Sequence, residues 1–198
     1  MINMQIIKDR IRESIEVKNK ILENQSIIGQ IEEAAKYIIG CFSAGGKVLL
    51  CGNGGSASDA MHIAGEFVGR FQRERKALPA IALNGDVTSM TSIANDYGYE
   101  NVFQRCVEGF MRHGDVLIGI STSGNSVNVY NALNRAKMMG EKTIALLGKD
   151  GGKIKTVADI PIIVPSNVTA RIQESHIMIG HIICELVENE CADISKEE

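Results

Sequence analysis

The sequence has no tryptophan, few aromatic residues, only three prolines and no surplus of basic residues. Aromatics make up 5% of the 198 residues, and 21 Lys and Arg stand against 24 Asp and Glu, for a net charge of −3. Proteins that bind nucleic acid usually present a basic surface or stacking aromatics, so this function class is disfavoured. Scarce proline beside 20 glycines indicates tight turns between regular elements.

Paired cysteines and long apolar runs are also lacking. The five cysteines are odd in number and form no Cys-x-x-Cys motif, which argues against a disulfide framework and a thiolate zinc site. No apolar run approaches the ~18 residues that cross a bilayer. Residues 1–20 mix charges throughout and do not resemble a signal peptide. We therefore expect a cytoplasmic protein whose partners are neither membranes nor nucleic acid.

Short apolar runs alternate with helical segments along most of the chain. Continuous apolar strands of this kind are typical of a parallel sheet covered on both faces, so we predict an α/β, three-layer, doubly wound domain. The predicted strands are 47–51, 80–83, 116–120, 143–147 and 160–164. The predicted helices are 4–44, 56–68, 87–94, 102–110, 126–139, 152–157 and 168–190. A strand order of 2-1-3-4-5 suits this pattern.

The first and last predicted helices are candidates for subunit contacts. Residues 1–44 form an amphipathic segment that the single domain at 45–198 does not need, and we expect this segment to serve oligomerisation. The last helix is apolar nearly all round, at Ile172, Ile177, Met178, Ile179, Ile182, Ile183, Leu186 and Val187. Such a helix must be buried on several sides, most simply by another subunit. The alternative is that both helices cover one end of the sheet.

Two loops rich in glycine and serine follow the first and third predicted strands. They are Gly52-Asn53-Gly54-Gly55-Ser56 and Ser121-Thr122-Ser123-Gly124-Asn125-Ser126. Backbone N–H groups at a helix start attract anions, and hydroxyls add uncharged donors, so the loops suit a phosphate monoester. In the predicted strand order both loops line one crevice. The alternative for each loop is an ordinary turn and helix cap.

The first loop also matches part of the dinucleotide fingerprint G-x-G-x-x-A, at Gly52, Gly54 and Ala57. That fingerprint requires an acidic residue at the end of the next strand, about 20 residues on. Here the second predicted strand ends at Leu83–Asp86, well beyond that spacing. The match is therefore poor, and the lack of Gly-Lys-Ser/Thr disfavours a triphosphate P-loop.

Four side chains could supply metal ligands or an acid and a base. His62 and Glu66 lie four residues apart and share a helix face. An isolated pair of this kind is more often a surface or structural contact. Gln173 and His181 lie eight apart and could meet only at an atom between them. Asn95 and Asp96 are common turn residues that can also bind sugar hydroxyls, and their spacing does not decide between these two roles. We expect His113 and His176 to be structural.

These strings together resemble the phosphoheptose isomerases, the sedoheptulose 7-phosphate isomerases of the sugar isomerase (SIS) superfamily. The resemblance covers about residues 30 to 188 and rests on CGNGGSASDAMHIAGEFV, LPAIALN, ANDYGYENVF, GDVLIGISTSGNS, LLGKDGGK and ARIQESHIMIGHII. It implies a flavodoxin-like SIS fold, a homotetramer with active sites between subunits, and one zinc ion per subunit. It also implies that sedoheptulose 7-phosphate becomes D-glycero-D-manno-heptose 7-phosphate through an enediol, the first step toward ADP-heptose for lipopolysaccharide or capsule.

The resemblance assigns roles by motif position. The substrate residues would be Asn53, Gly54, Gly55, Ser56, Glu66, Asn95, Asp96, Ser121, Thr122, Ser123, Ser126 and Gln173, with the 121–126 hydroxyls on the phosphate. The zinc ligands would be His62, Glu66, Gln173 and His181. Glu66 and His181 would be base and acid, although zinc ligation and base duty compete for the lone pairs of Glu66. Some members carry Asp where this chain has Ala170, so we expect no contact there.

Two other functions fit the same resemblance. One is a non-catalytic SIS scaffold like the replication-initiator-associating protein, which lacks the acid–base pair. The presence of Glu66 and His181 favours the enzyme. The other is an isomerase or sensor of a different sugar phosphate, since hexose or pentose phosphates could occupy the same loops.

Overall fold

The computed structural model describes residues 3–194, and side chains as far as Cys191; residues 1–2 and 195–198 of the predicted domain ranges lie outside this part. Helices and strands alternate throughout. The helices are α1 (Met4–Glu23), α2 (Gln25–Ser43), α3 (Gly55–Val68), α4 (Val87–Tyr97), α5 (Val102–Phe110), α6 (Val127–Met138) and α7 (Thr169–Ile194). The strands are β1 (Val48–Gly52), β2 (Ala80–Ala82), β3 (Val116–Ser121), β4 (Lys142–Leu147) and β5 (Ile160–Ile163).

The five strands form one parallel sheet in the order β2-β1-β3-β4-β5. This confirms the predicted fold class and strand order. Val48 pairs with Val116 and Gly52 with Ile120, so β1 and β3 end side by side. The two glycine- and serine-rich loops therefore leave the sheet at neighbouring positions, at its switch point.

Alternate residues of each central strand enter two separate cores. Val48 and Leu50 pack with α1, α2, α3 and α7 on one face of the sheet. Leu49 and Cys51 pack with α5 and α6 on the other face. Burial on both faces explains the continuous apolar runs in the sequence. Close packing on both faces also holds firmly the carboxyl ends of β1 and β3, from which the two loops leave.

Two helix predictions are wrong. The expected helix 4–44 is broken at Asn24, whose side-chain oxygen accepts from the backbone N–H groups of Ser26 and Ile27 at 3.0 and 3.2 Å. This cap starts α2 afresh, because a capping asparagine competes with helix continuation. The expected helix 152–157 is only a 3-10 turn, Ile154–Thr156, since Gly151 and Gly152 enter it at positive φ.

Large apolar side chains remain exposed on α1 and α4. On α1, Ile6, Ile7, Ile11 and Ile15 are each more than half exposed, and α4 has no buried residue. Helix α7 is mixed, since it packs on α2 and α3 while Ile182 and Leu186 stay 38% exposed. A single chain therefore covers only part of its apolar helix surface. Among the described helices, none has the length and apolar character needed to cross a bilayer.

His176 on α7 is buried without charge against the sheet. Its Nε2–H donates to the carbonyl of Leu147 at 2.9 Å, and burial lowers the pKa of its imidazole from 6.5 to about 4. The pKa in the folded state is below that in the unfolded state, so protons favour unfolding between these values. Its contribution to stability is complete above pH 6.5 and is lost as pH falls toward 4, by about 3 kcal/mol.

We expect His176→Gln to remove this pH dependence, because a glutamine amide can still donate to Leu147 but does not titrate. The measurement is the free energy of unfolding of both proteins in urea at several pH values. Carboxyl groups also titrate over this range, so the informative quantity is the difference in unfolding free energy between the two proteins. That difference should change by about 3 kcal/mol between neutral pH and pH 4. A constant difference would mean that His176 keeps an ordinary pKa.

Candidate active site

The first loop, Gly52–Ser56, turns sharply from β1 into α3 and packs against α7. A Cβ on Gly52 would lie 2.6 Å from the carbonyl oxygen of Ser56, and one on Gly55 would lie 2.1 Å from Nε2 of Gln173. Gly54 has φ +55°, which favours glycine. The structure thus places Gln173 directly on this loop.

Asn53 of this loop is held by Asn128 and Tyr99. The two asparagine amides pair reciprocally, with N···O distances of 2.8 and 2.9 Å, and the Tyr99 hydroxyl donates to Oδ1 of Asn53 at 2.9 Å. Oδ1 of Asn128 also accepts from the N–H of Val129, which fixes both amide orientations. These residues line a cleft of about 610 Å³ that Ser126 also borders.

In the second loop, Ser121–Ser126, the hydroxyls of the first and last residues face each other. Ser121 is buried at the end of β3, and its Oγ lies 2.9 Å from Oγ of Ser126. Ser126 precedes α6, yet its side chain makes no capping hydrogen bond to that helix. Thr122 and Ser123 are half-buried in the same loop. The Ser126 hydroxyl is therefore turned to the loop interior, unlike that of an ordinary helix cap.

Helices α3 and α7 run side by side and bring His62, Glu66 and His181 together. Nε2 of His62 lies 2.9 Å from Nε2 of His181 and 3.1 Å from Oε1 of Glu66. The imidazole rings meet edge to face, and the Phe71 ring stacks on the other side of His181 with centroids 5.5 Å apart. One ligand atom from each of the three residues falls within 4.8 Å of the others.

This cluster fits a zinc ion in donor type and spacing. Imidazole nitrogens and a carboxylate oxygen are ordinary zinc ligands, and ligand atoms around tetrahedral zinc lie roughly 3.3 Å apart. Two neutral imidazoles whose Nε2 atoms face each other need either one shared proton or one shared cation. Gln173 belongs to the predicted ligand set, but its amide contacts the first loop here. Its ligand role stays a prediction.

Comparisons with known proteins identify the family. A family model for the SIS domain matches residues 11–148. The phosphoheptose isomerase of Clostridium acetobutylicum is 56% identical over 184 residues, which cover 93% of this chain and 94% of that protein. The chain belongs to the phosphoheptose isomerases of the SIS family. This confirms the resemblance drawn from the motifs.

Solved phosphoheptose isomerases have the same fold. The structure of GmhA from Neisseria gonorrhoeae aligns with a TM-score of 0.88 and 40% identity, over 94% of this chain and 98% of that one. The structure from Francisella tularensis aligns with a TM-score of 0.91 and 36% identity, over 96% and 100% of the two chains. The family's fold therefore extends over nearly all of this SIS protein.

Asn95 and Asp96 are predicted substrate residues that lie in neither loop. Both are exposed on the last turn of α4, where Nδ2 of Asn95 donates to Oδ1 of Asp96 at 2.8 Å. Three residues after Asp96, Tyr99 reaches Asn53. The role of Asn95 and Asp96 in this phosphoheptose isomerase family member remains a prediction.

Sequence reasoning missed three residues of the site. Asn128 and Tyr99 fix Asn53 but lie 75 and 46 residues from it, with no spacing signal. Asp59 lies one turn before His62 on α3, and one of its buried carboxylate oxygens has no hydrogen-bond partner among the described residues. Burial raises the pKa of this carboxyl to about 6, although the charge of His62 lowers it. Its proton is therefore lost close to neutral pH.

Asn128→Asp should impair the first loop selectively. The carboxylate would face Oδ1 of Asn53 with an acceptor in place of a donor, at a cost of about 1–3 kcal/mol. We expect the KM for the sugar phosphate to rise about 10-fold, since 1.4 kcal/mol is one decade. Steady-state kinetics measure this, with Asn134→Asp further along α6 as the matched control. A KM equal to that of the control would show that Asn53 does not contribute to substrate binding.

Proposed function

We propose that the protein isomerises sedoheptulose 7-phosphate to D-glycero-D-manno-heptose 7-phosphate through an enediol, the first step toward ADP-heptose. The observation that carries the proposal is the convergence of the Glu66 carboxylate with the imidazoles of His62 and His181. Relatives named phosphoheptose isomerase at 50–59% identity support the choice of substrate.

The spacing between loops and cluster suits a seven-carbon sugar. Gly55 and His62 are seven residues apart on α3, about 10 Å along the helix axis. Helical side chains lean back toward the N-terminus, which shortens that distance for the imidazole. An extended heptose phosphate is also roughly 10 Å long, given carbon–carbon bonds of about 1.5 Å. Because β1 and β3 end side by side, a phosphate held by Ser121 and Ser126 would start next to the first loop, and the first two carbons would extend toward the cluster.

The proposed reaction moves two protons. The Glu66 carboxylate takes a proton from C1 of the ketose while His181, as the acid, gives one to the oxygen on C2, which forms the enediol. Glu66 then returns its proton to C2, and His181 takes the proton from the oxygen on C1. The carbonyl has moved to C1 and both groups are restored. Positioned acids and bases of this kind contribute about 10²–10⁴-fold each.

A zinc ion, one per subunit, would be held by His62, Glu66 and His181, with Gln173 as the predicted fourth ligand. When bound, it would polarise the sugar oxygens and so ease proton loss from carbon. Chelation separates a catalytic from a structural zinc ion. We expect activity to fall in demetallated protein and to return when zinc is added. Full activity without metal would show that the ion has no catalytic role.

We further propose that the chain works as a cytoplasmic homotetramer with active sites between subunits. The exposed isoleucines of α1 and the unburied α4 support association. Residues 1–44 would serve that assembly, and 45–198 would form the isomerase domain. Light scattering should give four times the 21.5 kDa of one chain. The product could supply lipopolysaccharide or capsule.

The deciding experiment compares ketose phosphates of five, six and seven carbons. We expect turnover chiefly of sedoheptulose 7-phosphate, followed as formation of the aldose phosphate. Preference for a shorter sugar would reassign the substrate. No turnover of any of them, together with tight binding to a replication initiator, would favour the scaffold function.

A further inference from the structure

A buried carboxylate lies just beyond the catalytic cluster on α7. Glu188 accepts four hydrogen bonds: from the backbone N–H groups of Phe71, Gln72 and Arg73 at 3.0, 2.7 and 2.9 Å, and from Nε of Arg75 at 3.1 Å. These donors all belong to the segment 69–79, which joins α3 to β2. A single side chain of α7 therefore ties this segment down.

Arg75 extends the same network to the end of α3. Its Nη2 donates to the carbonyl of Glu66 at 2.7 Å, and its Nη1 donates to those of Phe67, Gly69 and Lys76 at 2.8, 3.2 and 3.0 Å. The last turn of a helix leaves its carbonyls without partners, and a guanidinium satisfies several at once. Arg75 thus fixes the backbone from which the Glu66 side chain projects.

The network also fixes the ring that lies against His181. Phe71, whose N–H is bound to Glu188, stacks on His181 at an interplanar angle of 25°. Both side chains of the Arg75–Glu188 ion pair are 2% exposed. A buried ion pair is a weak stability device, because desolvation offsets the Coulomb attraction and an apolar pair of similar volume can serve as well. Its contact with the backbone of Glu66, and its link to His181 through Phe71, point to another role.

We propose that Arg75 and Glu188 are positioning residues that set the mutual geometry of Glu66 and His181. One acts on the backbone of Glu66, and the other acts on His181 through Phe71. This inference rests on the proposed isomerase function. Misplacement of a catalytic group by about 1 Å can cost 10²-fold in rate, so a network that positions both groups controls turnover without touching substrate.

Glu188→Gln is the direct test. Each carboxylate oxygen accepts from two donors, so an amide NH₂ at either position would face two N–H groups. We expect kcat to fall about 10–100-fold, the range seen for outer-shell partners. The KM should stay within about 3-fold, because the phosphate loops leave the sheet at β1 and β3 and make no contact with this carboxylate. Arg75→Lys keeps the positive charge but loses the planar guanidinium that binds several acceptors at once, and it should lower kcat to a similar extent.

A matched control is a second buried carboxylate, that of Asp115, which directly precedes β3. The buried Asp115 carboxylate accepts from the N–H groups of Lys47 and Arg112 at 2.9 and 2.7 Å and pairs with the Lys47 ammonium. Asp115→Asn should lower the melting temperature as Glu188→Gln does and leave kcat unchanged. A kcat for Glu188→Gln and Arg75→Lys equal to that of Asp115→Asn would overturn the proposal.

A spectroscopic readout separates failure of this inference from failure of the proposed function. The ring current of the stacked Phe71 side chain should shift the resonances of the His181 imidazole upfield, which is observable in protein labelled with ¹³C-histidine. That shift should be lost in Glu188→Gln and in Phe71→Leu and kept in Asp115→Asn. If Glu188→Gln does not fold, Phe71→Leu and Arg75→Lys carry the test. Wild-type protein that keeps the shift but turns over no sugar phosphate would refute the isomerase alone; an unchanged shift in the variants would refute the positioning network.

Discussion

Glu66→Gln should reduce the turnover of sedoheptulose 7-phosphate by at least ~10²-fold, the usual share of a general base. The amide matches the carboxylate in size but cannot take the proton from C1. The Glu66 side chain is 23% exposed and pairs with His62, so the substitution disturbs little of the packing. The melting temperature should change by only a few degrees, and KM should change far less than kcat.

The control for this variant is Glu32→Gln. Glu32 also lies on a helix, four residues before its partner Lys36, but its side chain is 62% exposed on α2. It should behave as the wild type. His181→Gln should match Glu66→Gln in size of effect, because the reaction needs both groups. A near-normal rate in either catalytic variant would remove that residue from the mechanism.

The same substitution separates base duty from metal ligation. Loss of Glu66 as a ligand should weaken zinc affinity, measured by competition with a chromophoric chelator. His62→Gln removes a ligand and leaves the base in place. If His62→Gln loses zinc affinity as Glu66→Gln does but retains much more turnover in added zinc, Glu66 acts mainly as the base. Equal losses of turnover in both variants would assign the defect to the metal site.

Local apolar pattern predicted most of the fold. Val116–Ile120 and Thr143–Leu147 are continuous apolar runs because both faces of the sheet are covered, and β3 and β4 match them within one residue at each end. The strand order was the one that suits a doubly wound sheet, and it placed the two loops in one crevice. Residue pattern and spacing marked the two loops and the pair His62 and Glu66, and motif resemblance assigned the roles. The structure shows where three of the candidates meet.

Contacts between distant residues could not be predicted in this way. Glu188 accepts from the N–H groups of Phe71, Gln72 and Arg73, which precede it in the chain by 115 to 117 positions. No periodicity marks a pairing over such a separation. The break at Asn24 was hidden for a different reason. The apolar spacing continues across it, and only the capping side chain separates α1 from α2.

Gly124→Ala should disrupt the second loop more than any serine substitution there. Gly124 has φ +67°, and a Cβ on it would lie 2.2 Å from the carbonyl oxygen of Gly151. That neighbour is backbone, which cannot rotate away. It is also held in place, because the N–H of Ile154 donates to the carbonyl of Gly124 at 2.9 Å and that of Lys153 to Asn125 at 3.1 Å. A strained backbone of this kind costs of the order of 1–3 kcal/mol before the clash is counted.

The clash can be relieved only if the loop moves, and the loop carries Ser121 and Ser126. We therefore expect the KM of the sugar phosphate and the inhibition constant of inorganic phosphate to rise together, each by at least ~10-fold. Gly29→Ala on α2 is the matched control, since its Cβ meets nothing within 4 Å, and it should gain about 0.5–1 kcal/mol of stability with unchanged kinetics. A Gly124→Ala protein that loses stability but keeps both constants would show that the phosphate is held elsewhere. Parallel changes in the two constants would tie the phosphate to this loop without reference to the acid–base pair, because inorganic phosphate has no carbons for Glu66 and His181 to act on.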